Sequence, residues 1–482
     1  MKRKLKVKFI LPALTEANSQ YWRPVKYSLF PPLGLATLAS YFGPEDDIEI
    51  QDEHVEKLNL DDKPDLLVLQ VYITSAYRTY EIARNYQQKG TYVVMGGIHV
   101  TSLPYEALRY ANSVFIGPSD DSWSDFISDF RKGKPKRIYY TRKRSFNYIP
   151  GIRRDLIKRN LYLVPNSIVV SKGCPYNCTF CYKHSFYKGG ISYYTKKVDD
   201  ALKEIEALPG KHVFFLDDNI LGDLKFAEML FDGMRGMNKI WQGAASVSAV
   251  LRSNLIEKAA EAGLRSLFIG FESLNQQNLE QYHKKHNNIF IYNKVIKLLH
   301  DSGVMINASF VFGMDEDDQN VFKNTVNWAI NQGIETSTFH ILTPYPGTDL
   351  YNKLNLEKRI LSHNWNNYDT RHSVFQPKKM TPEQLENGYW QAYKDFYSWS
   401  SIFKSVSNNN SLFNMLRHMA YTSGWKKFEY LWHLIIKLKQ LNHMVPMLER
   451  ILTGNNSYNN NTAKNKDIIK KSETQYQSKE II

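Results

Sequence analysis

Cysteine is almost absent from this chain: three residues in 482, all of them between positions 174 and 181. An odd, clustered set this small excludes a disulfide framework, and a chain of this length needs no covalent staple to hold a core. No uninterrupted apolar run reaches about 18 residues, so no spanning helix is expected. The basic start MKRKLKVKFILPAL has too short an apolar part, and no small-residue cleavage site, for a signal peptide; it reads as a first strand. A cytoplasmic chain with reduced thiols is expected. Acidic residues are outnumbered, 48 against 62 basic, giving a net charge of +14. No recognised nucleic-acid module accompanies that charge, so it is read as a basic surface and tail with no specific nucleic-acid partner. Hydrophobic content of 43% is ordinary for a globular chain, and the length suggests two or three domains.

The stretch GCPYNCTFCYK, residues 173–183, holds all the thiols as Cys-x-x-x-Cys-x-x-Cys. A structural zinc site usually takes four ligands with the second pair some distance away, and no second Cys/His cluster with that spacing occurs. A redox Cys-x-x-Cys pair would leave one thiol unexplained. An iron–sulfur cluster remains. Thiolates usually hold a 4Fe-4S unit four at a time, so three leave one iron open to a substrate or cofactor. With every cysteine in the motif, no thiol is left for a second cluster, a methyl carrier or a hydrogen donor.

Residues 5 to about 131 alternate near-continuous apolar strand candidates (KVKFILPAL, DIEIQ, PDLLVLQVYI, TYVVMGGIHV, SVFIG) with helical patterns, which predicts a buried parallel sheet of doubly wound α/β class. Ligands on such sheets sit at the carboxyl ends of the strands. Ser75 and the pair Gly96-Gly97 fall at such ends and fit a bound ligand, with a plain turn as the other reading. Residues 132–165, basic and Tyr-rich, read as a linker. From 166 to 379, six strand candidates at helix-permitting spacing suggest a partial (β/α)6 barrel. Each is followed by polar or small residues: the cysteines, Asp217-Asp218-Asn219, Ser246, Glu272-Ser273, Gly313 with Asp315, and Thr343 to Thr348. Residues 380–453 read as helical and 454–482 as a disordered basic tail. The basic aromatic stretch 425–452 is read as a cap on the barrel, with a membrane-surface helix as the alternative.

Cys174, Cys178 and Cys181, with Phe180 before the last, resemble the signature of the radical S-adenosylmethionine superfamily. PPLGLATLASYF, GGIHV, FFLDDNI, LFIGFES, SFVFG and FHILTPYPGT resemble its cobalamin-binding branch, in that family's order, over about residues 5 to 400. The resemblance implies a flavodoxin-like cobalamin-binding domain, then the radical barrel. It implies a 4Fe-4S cluster on the three cysteines and S-adenosylmethionine on the open iron. Phe180 would lie near the adenine, Glu272 would accept hydrogen bonds from ribose or amino group, Asp217, Asp218 and Ser246 would add contacts, and Gly313 would let backbone approach adenine. An external electron donor such as flavodoxin or ferredoxin and a small-molecule or lipid-like substrate complete the expectation, with methylation of an unactivated carbon as the reaction. A non-methylating radical cyclase or oxidase, or a non-catalytic corrinoid module, are the alternatives.

Some positions depart from the family pattern. LPALTEANSQ after the first strand offers no cobalt-ligating His, and in DEHVEKL a Lys stands where Gly should be, so His54 is read as a surface or loop residue and cobalamin is expected without a protein His ligand. GPSDD replaces the usual Gly-Glu-Gly-Glu, and Pro118 removes a backbone donor there. Ala244 stands where Gln is usual, which removes a polar contact. Asp217 has a structural reading beside the cofactor one, and Tyr182 and Tyr345 are candidate hydrogen donors.

Overall fold

The computed structural model describes residues 3–17, 28–141, 143–252, 254–284, 286–409 and 411–427. The tail at 454–482 and nearly all of 425–452 lie outside them. Six strands, β1 (Lys6–Leu11), β2 (Asp47–Asp52), β3 (Leu66–Gln70), β4 (Tyr92–Gly96), β5 (Ser113–Ile116) and β6 (Ile138–Tyr140), form one sheet in the order β2-β1-β3-β4-β5-β6. Every pair is parallel. Leu66 to Leu69 are all buried, because helices cover both faces; that is why β3 reads as a continuous apolar run rather than an alternation. The order reverses between β1 and β3, so the crevice at their carboxyl ends is the ligand position of this flavodoxin-like topology.

β6 corrects the linker reading. It is three residues long, too short for periodicity to reveal, and it is held by Tyr139, which is buried and stacked on Phe115 at 5.1 Å. The strand expected in TYVVMGGIHV stops at Gly96, and Ile98–Ser102 is helical.

The second sheet contains β7 (Ser167–Ile168), β10 (His212–Phe215), β11 (Ile240–Ala245), β12 (Leu264–Glu272), β13 (Met305–Phe312) and β14 (Thr336–Ile341), parallel and in chain order, with β7 and β14 at its two edges: a partial (β/α)6 barrel. Between β7 and β10 a small antiparallel pair, β8 (Ser171–Gly173) with β9 (Tyr193–Thr195), stands apart from the sheet. The chain then returns to the first domain: Trp365, Tyr368 and Val374 sit in the core beside Leu67, Tyr80 and Val100.

The described C-terminal helices, Pro382–Phe396, Trp399–Ser407 and Leu412–Lys426, cover the β14 side. An edge strand exposes backbone groups that need partners. Here tyrosine hydroxyls supply them. Tyr397 accepts from Ser337 N and donates to Ser337 O (3.0 and 2.8 Å), and Tyr393 does the same at Phe339 (3.1 and 3.3 Å).

Glu335, at the foot of β14, faces His300 at 3.4 Å and accepts from Ile306 N at 2.9 Å. Burial by itself would raise its pKa; the charge and hydrogen bond of His300 outweigh burial and hold the carboxyl at about 2, below its ordinary 4.5. A depressed carboxyl adds stability above its unfolded value and loses it as pH falls through that value toward the folded one. Thermal denaturation should therefore show Tm falling between pH 5 and 3, with a shallower slope in Glu335→Gln.

Candidate active site

The loop of residues 174–181 leaves β8 and ends in the short helix Tyr182–Phe186. Its entry needs glycine: Gly173 has φ +81°, and a Cβ there would lie 2.0 Å from the Ser192 carbonyl oxygen. Backbone bonds clamp the loop: Cys174 N donates to Ser192 O (3.0 Å), Thr179 N to Tyr282 O (3.1 Å), and Leu350 N to Thr179 O (3.0 Å). The three thiols are free. Burial foremost pushes Cys174 up to about 11 and Cys178 to about 12, and it raises Cys181; the charge of Cys181 adds to the rise at both Cys174 and Cys178. Such thiols ionise readily only beside a positive partner, and a bound metal is one. Among the described residues no three His, Cys, Asp or Glu converge tightly enough to hold a single metal ion. Three free thiols on one clamped loop are the donor set of a cluster that takes one thiolate per iron.

The residues expected around the loop divide. Asp217 is structural: buried, it accepts from Val170 N (3.1 Å), Ser171 N and the Ser171 hydroxyl, fixing the chain between β7 and β8. Asp218 pairs with Lys183 at 2.6 Å. Ser246 donates its N–H to Asn219 Oδ1 at 3.4 Å, and its hydroxyl is 3.5 Å from that of Tyr176, whose ring stacks on His286 at 3.6 Å. Gly313 has φ +95°, a backbone that favours glycine, and spends its N–H on Asp317 (3.0 Å). Phe180 packs near Tyr282, ring centres 6.3 Å apart, and Tyr182 meets Tyr345 edge to face at 5.8 Å.

Glu272 ends β12 with φ +66°, a strained backbone for a residue with a side chain. It pairs with Lys284, a residue that nothing in the sequence singled out; both are largely buried. Burial would lower the Lys284 pKa, but Glu272 and the facing Cys178 and Cys181 outweigh it and raise it. In EQYHKKHN nothing local marks Lys284 as a buried residue; only the fold brings it to Glu272. Lys284→Met leaves Glu272 buried and unpaired. A loss of about 3 kcal/mol is expected in urea denaturation.

A cavity of about 1150 Å³ lies between the two sheets. From the first domain, Gln70 to Tyr72, Gly96-Gly97 and Gly117 to Asp120 line it at the carboxyl ends of β3, β4 and β5, joined by Leu33-Gly34 at the start of the helix Leu33–Ala39. From the barrel come Lys172, Tyr182, Lys183 and Asp218, so the residue after Cys181 is already cavity wall. Gly97 has φ +115°, and a Cβ there would lie 2.8 Å from the Val71 carbonyl oxygen. The GPSDD loop has a role that its sequence hid: Asp120 binds Lys172 (2.7 Å) and Tyr194, joining the two domains across the cavity rim.

Two expectations are corrected. Ser75 is not in the cavity wall; fully buried, its hydroxyl accepts from Tyr72 N (3.1 Å) and donates to Tyr72 O (3.2 Å), closing a tight turn. His54 is buried, not on the surface: Nδ1 bonds Asp52 at 2.8 Å and Nε2 accepts from Leu14 N at 3.2 Å. Both its ring nitrogens are engaged in the core. Among the described residues the cavity wall contains no histidine.

Residues 168–350 match the radical SAM superfamily. Bacteriochlorophyllide d C-12(1)-methyltransferase of Chlorobaculum tepidum is 30% identical over 355 residues, 71% of this chain and 76% of that protein. The chain belongs to the radical SAM superfamily. The C-8(2)-methyltransferase of the same organism is 28% identical over 88% of this chain and 96% of its own length. Among solved structures, the radical SAM methyltransferase TsrM of Kitasatospora setae, with cobalamin and a 4Fe-4S cluster bound, covers 91% of this chain and 99% of its own at TM-score 0.62 and 13% identity. OxsB, with aqua-cobalamin and S-adenosylmethionine bound, covers 99% of this chain and 81% of its own at TM-score 0.65 and 14% identity.

This radical SAM enzyme therefore shares its whole two-domain fold, not the barrel alone, with those proteins. Cys174, Cys178 and Cys181 lie within the matched residues, and the two residues that directly follow Cys181 line the interdomain cavity.

Proposed function

We propose that this enzyme is a cobalamin-dependent radical methylase acting on an unactivated carbon of a large apolar small molecule. The observation that carries the reading is the shared wall: Tyr182 and Lys183, directly after the last cluster cysteine, line a cavity larger than most small-molecule sites. When bound, the cluster and S-adenosylmethionine supply the 5′-deoxyadenosyl radical that takes hydrogen from carbon, and the corrinoid supplies the methyl group. The chain's own part is placement. Cys174, Cys178 and Cys181 fix the cluster, and Gly96 and Gly97 let the backbone approach a flat ligand closely. The Lys183–Asp218 pair closes the wall between loop and cavity without leaving a charge unpaired. With no His in that wall, the corrinoid would be held without a protein imidazole. Tyr345, buried and with its pKa raised by burial above all, stays a neutral phenol beside Tyr182.

The substrate class rests on relatives that share the domain pair. Besides the bacteriochlorophyllide enzymes they include the hopanoid C-2 methylase of Rhodopseudomonas palustris, 23% identical over 69% of this chain. A reducing, cytoplasmic setting and a flavodoxin- or ferredoxin-type electron donor suit a free-thiol cluster site. The test is anaerobic reconstitution with iron, sulfide and hydroxocobalamin, followed by incubation with S-adenosylmethionine labelled in its methyl group and a polycyclic substrate panel. About four irons, one cobalt and labelled product carrying one added carbon are expected. Cleavage without cobalt or methyl transfer would replace this reading with a non-methylating radical reaction.

A further inference from the structure

The helices Trp399–Ser407 and Leu412–Lys426 pack against each other as an outer layer. Their inner side is accounted for: Ile402, Val406, His418 and Thr422 are buried, and Thr422 donates to Glu335 O at 2.6 Å. Among the described residues nothing covers their outer side. Trp399 and Phe403, one turn apart with rings 6.1 Å apart, are 47% and 57% exposed; Leu412 and Leu416, again one turn apart, are 73% and 62% exposed, with Phe413 beside them. Single exposed hydrophobics are ordinary, but two such pairs on neighbouring helices make a patch that marks an interaction surface.

Charge identifies the partner. From residue 396 to 427 the chain carries Lys404, Arg417, Lys426 and Lys427 and no acidic residue at all. Lys404 and Lys427 are exposed at the patch, and the Lys427 ammonium lies 5.3 Å from the centre of the Trp399 ring. Asp395, the acidic residue next before this stretch, is engaged by Gln391 at 2.7 Å. The following residues continue the bias: Lys437, Lys439 and Arg450 against Glu429 and Glu449, among Phe, Trp, Leu and Ile. A protein partner would answer these exposed lysines with carboxylates in a fixed pattern; an apolar patch edged by Lys404 and Lys427, with Arg417 turned inward onto the Gly303 carbonyl, fits instead the boundary between acyl chains and anionic headgroups.

We propose that this face docks the enzyme on an anionic lipid surface, with Trp399, Phe403, Leu412 and Leu416 entering the headgroup boundary and Lys404 and Lys427 meeting phosphates. The inference does not depend on which reaction the enzyme performs. Docking there would give the active site access to membrane-dissolved molecules, which is the chemistry of a large apolar substrate.

The test is co-sedimentation of the full-length reconstituted enzyme with vesicles of phosphatidylcholine alone and of phosphatidylcholine with phosphatidylglycerol. Binding to the anionic vesicles should exceed binding to the neutral ones by about tenfold and weaken as salt rises. The double substitution Phe403→Ser, Leu416→Ser, both outward-facing, should lower it about tenfold, and Lys404→Glu should lower it severalfold. Iron content and vesicle-free cleavage of S-adenosylmethionine should not change in either variant, which separates lost docking from lost folding and from failure of the methylase reading. No sedimentation with anionic vesicles, or undiminished sedimentation of both variants, overturns the proposal; the second result would assign lipid contact to residues beyond 427.

Discussion

Cys178→Ala should abolish reductive cleavage of S-adenosylmethionine, a fall of about a thousandfold or more, while the protein stays folded. The loop that carries Cys178 is clamped by backbone bonds at Cys174, Thr179 and Cys181, none of which uses the Cys178 side chain. The substitution removes one buried sulfur from a loop outside the hydrophobic cores of the two domains, so the direct stability cost should be about 1 kcal/mol. What it removes chemically is larger. The chain has no fourth cysteine to step in, and among the described residues no alternative group of three metal-ligating side chains exists. Anaerobic reconstitution should yield protein with substoichiometric iron, no 5′-deoxyadenosine by chromatography, and a Tm within a few degrees of the parent. Cobalt uptake should persist, because the cavity's first-domain wall is untouched. A variant that retains full cleavage would show that the thiols serve some other purpose.

How far the sequence could be read depended on how local the signal was. The cysteine loop is local in every respect: three ligands, one aromatic and one entry glycine within a single turn of chain. Strand β3 was legible because burial on both faces makes it apolar through Leu69, and β1, β12 and β13 each carry an apolar run (Phe9 to Leu11, Leu267 to Ile269, Phe310 to Phe312) that stands out. β6 was not, since three residues held by one stacked tyrosine carry no period. The paired contacts were harder still. Glu272 stood out at a strand end, but its partner Lys284 is twelve residues on, beside an identical neighbour, with no local pattern to single it out. Asp120 was read as a degraded ligand loop, whereas it ties β8 and β9 to the first domain. His54 looked peripheral because its sequence neighbours are charged. Its place is set by Asp52 and Leu14, and the latter contact spans forty positions. Ser75 shows the reverse error: correct in register, yet its hydroxyl closes a turn on Tyr72.

Gly34→Leu should remove cobalamin binding and leave cleavage of S-adenosylmethionine in place. Gly34 lies in the helix Leu33–Ala39, and its open side faces the cavity. The first atom a Cβ would meet is the Gln70 side-chain oxygen, 3.4 Å away at the tip of a flexible chain, and no positive φ is required. A leucine here therefore extends into the cavity without straining the backbone, and it trades a poor helix former for a good one, worth about 0.5–1 kcal/mol in favour of the fold. Gly97 offers no such clean test. Its φ of +115° and the Val71 carbonyl 2.8 Å from a would-be Cβ mean that any side chain deforms the β3–β4 junction as well as narrowing the cavity. With Gly34→Leu, cobalt per chain should drop at least about tenfold, the equivalent of some 1.4 kcal/mol of lost binding. Iron content and 5′-deoxyadenosine formation should match the parent, while transfer of the labelled methyl group should fail. Retained cobalt with normal methyl transfer would mean that the corrinoid does not occupy the interdomain cavity. Lost iron would mean instead that cavity and cluster loop fold as one unit through Tyr182 and Lys183. Together with Cys178→Ala, the variant makes the two halves of the proposed chemistry separable: one substitution removes the radical and spares the cobalt, the other removes the cobalt and spares the radical.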